Sequence, residues 1–161
     1  MLAVQLTKRK DGGTVLRCVR ADGSVTWQKQ DRHAGFFASH DLTHFAVEST
    51  LGFRDGFFGL IAQGWDIEDT TGKGQRGRPP AEATEVEHIV GSLDLERACG
   101  SATTANDFNA QAAATASSQG RPVPRELTDD DLGRVRSRQG ELFAQWHALP
   151  AGATLELGFP L

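Results

Sequence analysis

The sequence predicts an α+β fold in which a small antiparallel sheet packs on a helical middle, and three observations support this. Residues 2–29 alternate between apolar and polar positions around turn signals at Lys10–Gly13 and Asp22-Gly23, as an antiparallel meander does. Residues 81–148 carry helical periodicity instead. Residues 153–157 alternate again, so we expect this last strand to join the N-terminal sheet.

The N-terminal strands are predicted at Leu2–Thr7, Thr14–Arg20 and Ser24–Gln28. The second of them is rich in β-branched residues, which favour strands. Asp22-Gly23 separates the second strand from the third, and this pair suits a hairpin because the turn needs positive φ angles. The three strands therefore form one meander.

The first predicted helix starts at Ser39, a good N-cap, and ends at about Leu51, just before a glycine. The next segment, Asp55–Trp65, is apolar nearly all round and predicts a short buried helix. Residues 66–80 then form the longest predicted loop. Loops of more than about 12 residues are usually functional or disordered.

Three longer helices are predicted after this loop. The first covers Ala81–Ala98 and follows a proline that suits a helix start. The second runs from Ala105 to about Ser117 with Thr104 as its N-cap, and residues 118–126 after it resemble a linker. The third runs from Thr128 to about Ala148, and its predicted core face consists of Leu132, Val135, Leu142, Phe143 and Trp146.

Length and composition agree with a single domain over residues 1–161, with 39% hydrophobic and 24% charged residues. The net charge of −4 argues against a general nucleic-acid binder. No apolar run approaches the roughly 20 residues of a membrane span, and no signal peptide is visible, so we expect a cytoplasmic protein. The sequence leaves a homo-oligomer open. Cys18 and Cys99 lack CxxC spacing, which predicts two buried thiols, with a disulfide as the alternative.

The candidate site lies in Ser39–Glu48. His40 and His44 are four residues apart, so their imidazoles share one helix face and can chelate a divalent metal ion, for which we expect zinc. Apolar residues flank this face on both sides, which predicts partial burial. A helix rises about 1.5 Å per residue, so Glu48 lies too far along the axis to bind the same ion. We expect it to bond the free ring nitrogen of His44.

The third ligand must come from elsewhere in the chain. The helix after the long loop offers Glu85 and His88, and the other candidates are His33, Asp66 and Glu68. Glu85 and His88 also have the i, i+3 spacing of di-iron carboxylate bundles, as Asp41 and His44 do. A dinuclear site is therefore an alternative.

The run His40-Asp41-x-x-His44 resembles the His-Glu-x-x-His arrangement of zinc metallopeptidases. This resemblance implies that His40 and His44 are zinc ligands and that Asp41 is the base acting on metal-bound water. Gluzincins, one group of these peptidases, add a glutamate from a later helix to the two histidine ligands. The same run is similar to one in the coenzyme-Q biosynthesis family, which binds zinc.

A second resemblance covers nearly the whole chain. It is carried by several segments, including Val25–Gln28, the His-Asp-Leu-Thr-His-x-x-Val-Glu run of His40–Glu48, Gly56–Leu60 and Gly64–Gly72. On these segments the chain resembles a set of small bacterial proteins of unassigned function. The resemblance implies no activity, and it adds no ligand to those predicted above.

The loop Thr70–Arg78 joins glycines, hydroxyls and three cations. Backbone amides freed by glycine, with Lys73 and Arg76 nearby, suit a phosphate or carboxylate. The GxxxxGK[ST] spacing of a nucleotide P-loop is absent, so the expected ligand is a small anionic molecule. The alternative is a solvated loop whose cations pair with the acidic run Asp66–Asp69.

Two functions follow from these patterns. The first is a metal-dependent hydrolase in which Asp41 or Glu48 acts as base or supports the ligands, and the Lys73–Arg78 loop steers a small anionic substrate. The second is a non-catalytic binding or assembly protein, in which the histidines are structural and the Phe-rich helix serves an interface.

Overall fold

The fold is α+β, as the sequence predicts. The structure is a computed structural model and describes residues 1–160. In chain order these residues form β1 (Leu2–Lys8), β2 (Thr14–Val19), β3 (Val25–Gln30), α1 (Ala34–Leu51), α2 (Phe57–Ala62), α3 (Ile67–Thr70), α4 (Ala81–Cys99), α5 (Ala105–Ser118), α6 (Asp129–Ala148) and β4 (Thr154–Phe159).

The four strands build one antiparallel sheet in the order β3-β2-β1-β4, which confirms that the last strand joins the N-terminal meander. Leu6 of β1 lies opposite Leu16 of β2 and Leu155 of β4. All three side chains are buried, because inward positions of paired strands fall on the same face. That apolar face packs against α1, α2 and α6.

α1 lies between two hydrophobic clusters and is the central helix of the molecule. Phe45 belongs to the cluster on the sheet side, whereas Val47 belongs to the cluster formed with α4, α5 and α6. A helix buried on two sides also buries polar residues, and these need hydrogen-bond partners. α1 accordingly holds buried His44 and Glu48, and the partners that surround them define the candidate site.

The first turn of α1 differs from the prediction. The helix begins at Ala34 with His33 at its N-cap, so the prediction of Ser39 as N-cap is wrong. Ser39 lies inside the helix and donates a hydrogen bond to the Gly35 carbonyl. Ala34 and Ala38 are both buried, so packing of this extra turn outweighs the local capping preference of Ser39.

The long loop of residues 66–80 is interrupted by α3, a single helical turn. Asp66 and Asp69 form a capping box at its start, and the Ile67 amide donates to Thr26 Oγ1 on β3 at 3.1 Å. Burial of Ile67 adds an apolar contact. These interactions tie the first part of the predicted loop to the sheet.

Cys18 and Cys99 are both free thiols. Cys18 is buried, as predicted, and burial raises its pKa to about 12. Cys99 is exposed at the end of α4, so the prediction that it is buried is wrong. Over the described residues, every helix is too short or too polar to cross a membrane.

Candidate metal site

His40 and His44 lie one turn apart on α1, and α4 brings Glu87 against them. The ring centroids of the two histidines are 4.7 Å apart. One donor atom from each of the three residues lies within 4.8 Å of the other two. Two imidazoles and one glutamate form the donor set of His₂Glu catalytic zinc sites, which keep a fourth position open. The arrangement can therefore hold a divalent metal ion.

Glu48 fixes the ring of His44. Nδ1 of His44 lies 3.1 Å from Glu48 Oε1, which confirms the hydrogen bond expected from the helix geometry. The other carboxylate oxygen, Oε2, accepts hydrogen bonds from the Phe58 and Gly59 amides at 2.9 and 3.1 Å. Glu48 is fully buried, so both of its oxygens are held by protein groups. The catalytic role predicted for Glu48 stays a prediction.

Gly56 lies directly against the Glu48 carboxyl group, where a larger residue would not fit. A Cβ atom at Gly56 would lie 2.6 Å from the Glu48 Cδ atom. The glycine therefore lets the turn before α2 approach the carboxylate closely. That approach brings the Phe58 and Gly59 amides within hydrogen-bond distance of Glu48.

Asp94 of α4 bonds to the Nδ1 atom of His40, as Glu48 bonds to the Nδ1 atom of His44. Nδ1 of His40 lies 2.7 Å from Asp94 Oδ2, and Arg97 donates to Oδ1 of the same carboxylate at 3.3 Å. Phe36 stacks on the His40 ring. Carboxylates at the second ring nitrogen are typical of metal-binding histidines, because they set the tautomer and the ring orientation. In both histidines Nε2 is the nitrogen left for a ligand.

His44 lies between two carboxyl groups, those of Glu48 and Glu87. Its Nε2 atom lies 3.3 Å from Glu87 Oε1. Burial lowers the pKa of His44, but the charges of Glu87 and Glu48 outweigh burial and raise that pKa to about 10. Burial likewise raises the pKa of Glu87, but His44 more than offsets this and holds it below its ordinary value. A divalent cation at this position would replace the proton on His44 Nε2.

Asp41 lies on the sheet side of α1. It is buried, and Gln30 Nε2 donates to its Oδ2 atom at 3.2 Å. Thr14 in turn donates to Gln30 Oε1 at 2.7 Å. Burial raises the pKa of Asp41 to about 6, although Gln30 and His44 oppose the shift. The base role predicted for Asp41 stays a prediction.

A cavity of about 580 Å³ meets the donor cluster at Glu87, which forms part of its wall. Arg78 and Arg121 supply cations to the wall, and Phe57 supplies an apolar surface. His88 also lines the cavity, and its Nε2 atom is buried without a hydrogen-bond partner in the described part of the chain. Burial, followed by the charge of Arg121, lowers the pKa of His88.

Of the predicted ligands on α4, neither lies in the three-residue cluster. Glu85 accepts hydrogen bonds from the amide and the side chain of Arg125, both at 2.8 Å. His88 is next to Glu87 in sequence and lines the cavity, but its Nε2 atom is buried and has no hydrogen-bond partner among the described residues. The other candidates lie outside the cluster as well, namely His33, Asp66 and Glu68.

The predicted anion-binding residues lie away from the donors. Lys73 lines a different cavity, beside β3. Arg76 donates to the Gly64 carbonyl at 2.8 Å and stacks over the Trp65 ring. Its Nε atom also lies 3.7 Å from Asp69 Oδ2, as predicted by the alternative in which the loop cations pair with the acidic run. Neither Lys73 nor Arg76 belongs to the described wall of the cavity beside Glu87.

The sequence reasoning missed Glu87 and Asp94. They are seven residues apart on α4, which places them on one helix face. That face borders the buried positions Val86, Val90 and Leu93. Two acids beside an apolar stripe are the signal that could have identified them, because a partly buried acid needs a partner.

Comparison of this chain with protein-family models, with curated proteins and with solved structures finds no match. The resemblance to small bacterial proteins of unassigned function and the local resemblance to zinc metallopeptidases therefore stay predictions. What the geometry does supply is a partly buried group of two histidines and one glutamate that can hold a divalent metal ion, with a carboxylate bonded to each histidine.

Proposed function

We propose that this protein binds zinc through His40, His44 and Glu87 and uses it to hydrolyse a small anionic substrate. One observation carries the proposal. Each histidine has its Nδ1 atom against a buried or nearly buried carboxylate, at 2.7 Å for His40 and 3.1 Å for His44. Such support prepares the Nε2 atoms for a metal before any metal arrives.

The donor chemistry and spacing favour zinc over harder cations. Calcium and magnesium prefer oxygen ligands alone, whereas two imidazoles and a carboxylate suit zinc. Bonds of about 2.0–2.2 Å in a tetrahedron place neighbouring ligand atoms roughly 3.3 Å apart. The His44 Nε2 to Glu87 Oε1 distance is 3.3 Å. The remaining separations reach at most 4.8 Å, and the Glu87 side chain is 56% exposed, so it has room to adjust.

Three features support a hydrolytic reaction. A zinc ion held by His40, His44 and Glu87 would supply a bound water whose pKa is lowered to about 7, as the nucleophile. Glu48 and Asp94 hold the ligand rings, and the cations of the adjoining cavity attract an anionic substrate. Asp41 is the base that the sequence predicts. Asp41→Asn is therefore expected to abolish most turnover of a zinc-loaded sample while leaving its zinc content unchanged.

Metal content tests the proposal directly. Protein purified, dialysed against zinc and then desalted should contain about one zinc per chain by elemental mass spectrometry. His40→Ala/His44→Ala and Glu87→Gln should each retain less than a tenth of that amount. Glu85→Gln is the matched control, because Glu85 is on the same helix but pairs with Arg125. A wild-type protein that holds no stoichiometric zinc overturns the proposal.

The second candidate is a non-catalytic binding or assembly protein with structural histidines. The ion pairs of His44 with Glu48 and Glu87 favour it, since they are complete without a metal. Thermal unfolding separates the two functions. Zinc should raise the Tm of the wild type but not that of Glu87→Gln if the site binds metal. For structural histidines, zinc leaves both Tm values unchanged.

A further inference from the structure

We infer that the cavity beside Glu87 is the substrate subsite and takes a small ligand with an oxyanion on an apolar body, held by Arg78, Arg121 and His88. This deepens the proposed function and rests on it for the reaction, but the binding geometry stands separately. The cavity holds about 580 Å³. Small-molecule pockets occupy roughly 300–1,000 Å³, so the size suits a metabolite rather than a macromolecule.

The two arginines reach the cavity from different segments. Arg78 lies in the loop before α4, and Arg121 follows α5. The Arg121 side chain has only a long contact with Thr84 Oγ1, at 3.4 Å. Nearby carboxylates already have partners, in the pairs Glu85–Arg125, Asp69–Arg76 and Glu87–His44. Over residues 1–160 neither guanidinium of the cavity is paired with a carboxylate, so both are available to an anion.

His88 is a separate sign of a ligand. The residue is only 9% exposed, and its Nε2 atom has no hydrogen-bond partner within residues 1–160. A buried nitrogen left unpaired costs free energy, so such atoms usually have a protein, water or ligand partner. His88 lines both the cavity beside Glu87 and a smaller one of about 260 Å³. Because Nε2 itself is buried, a ligand in the larger cavity supplies the missing hydrogen bond once the His88 ring turns its Nε2 atom to the cavity wall.

Apolar groups define the rest of the ligand. Phe57, Leu60 and Pro79 line the same cavity, and the Phe57 ring lies 5.4 Å from the His44 ring, centroid to centroid. An apolar body placed on Phe57 therefore lies beside the metal donors, while its oxyanion reaches the arginines. Inorganic phosphate alone would leave the apolar wall unused.

Calorimetry on the metal-free protein of residues 1–161 tests the subsite with phenyl phosphate and phenylacetate, and inorganic phosphate is the probe without an apolar body. At least one aryl anion should bind about tenfold more tightly than inorganic phosphate. The tighter of the two aryl anions identifies the substrate as a phosphate ester or a carboxylate. Arg78→Ala and Arg121→Ala should each weaken that binding about tenfold.

Lys73→Ala is the matched control, because it removes a cation from the same loop but outside this cavity. It should leave aryl anion binding unchanged. His88→Phe should weaken binding while the Tm stays the same or rises, since the variant removes an unpartnered nitrogen. A merely structural His88 would instead lower the Tm and leave binding intact.

The inference is overturned if neither aryl anion binds, or if Lys73→Ala weakens binding as much as Arg78→Ala and Arg121→Ala. Zinc uptake, measured after aliquots of the same preparations are dialysed against zinc and desalted, separates this failure from failure of the proposed function. Aryl anion binding without zinc binding supports the subsite and overturns the metal site. Zinc binding without aryl anion binding supports the metal site and overturns the subsite.

Discussion

The histidine face of α1 and the loop of residues 66–80 both carry functional predictions, but they use their charged groups differently. On α1, His40 and His44 each have one ring nitrogen held by a carboxylate, and the other nitrogen is left for a ligand. In the loop, Arg76 contacts the Gly64 carbonyl, the Trp65 ring and Asp69. The helix contributes to a cluster that can hold a metal ion, whereas the contacts of Arg76 stay within residues 64–76.

This difference shows where a ligand-binding group should be sought. A cation that bonds to residues of its own loop already has hydrogen-bond and ion-pair partners. Arg78 and Arg121, which lie at the cavity wall, have made few. Residue type alone does not separate Arg76 from Arg78, but the surrounding partners do. The predictions below test this contrast, starting with the largest expected effect.

Removing Glu48 should cost far more than removing the corresponding loop charge. Glu48→Ala leaves a buried His44 and two buried amides without their carboxylate, which we expect to destabilise the protein by about 3–5 kcal/mol. Arg76→Ala removes an exposed charge and should cost less than about 1 kcal/mol. Urea unfolding measures both. Equal losses would mean that the loop is as tightly organised as the helix.

Asp94 should control metal affinity through His40. Asp94→Asn keeps the size of the side chain but weakens its hold on the ring, so zinc affinity should fall about 10–100-fold. Competition with a chromophoric chelator gives the affinity, and Glu85→Gln on the same helix should leave it unchanged. If Asp94→Asn binds zinc as the wild type does, the carboxylate does not position His40.

Two glycine-to-alanine changes should have opposite signs. Gly56→Ala places a Cβ atom 2.6 Å from Glu48 Cδ, and such overpacking typically costs about 1–3 kcal/mol. Gly91→Ala lies within α4, where a Cβ meets nothing within 4 Å, and should stabilise by about 0.5–1 kcal/mol. Thermal unfolding distinguishes the two. A neutral Gly56→Ala would show that the turn before α2 can move away from Glu48.

The Glu96–Arg136 pair lies outside the histidine face of α1 and the loop of residues 66–80. Its loss should lower the free energy of unfolding by a smaller, pH-dependent amount. Burial raises the pKa of Glu96, but Arg136 and Thr103 outweigh burial and hold that pKa below its ordinary value. A carboxyl with a lowered pKa adds stability that is present above its unfolded pKa and is lost as the pH falls through its folded pKa. Glu96→Gln should therefore cost on the order of 1 kcal/mol at pH 7.

Unfolding curves at pH 7 and pH 3 check this last prediction. The difference in stability between the wild type and Glu96→Gln should be clear at pH 7 and smaller at pH 3, because the wild-type carboxyl takes up its proton as the pH falls through its lowered pKa. Glu141→Gln, which removes an exposed partner of Arg138, is the control and should change stability little at either pH. A difference that is as large at pH 3 as at pH 7 would assign the effect to packing.

Local periodicity was enough to predict the α+β fold, the last strand and the bond between Glu48 and His44. Each of these depends on where the side chains of a single helix or strand point. The start of α1 was not predictable in this way, since burial of Ala34 and Ala38 depends on the rest of the fold. The third donor shows the same limit. Successive α4 residues point about 100° apart, so only the crossing of α4 over α1 selects Glu87.

The pairing of β1 with β4 has a consequence for how the chain folds. Leu2 lies opposite Phe159, so the hydrogen bonds between β1 and β4 must wait until residues 154–159 have been synthesised. Long-range strand pairing of this kind slows folding. Until β4 arrives, β1 is an open edge that exposes backbone groups to other chains. Phe159 also packs on Phe45 of α1, so the helix that carries the histidines gains its full support only at the end.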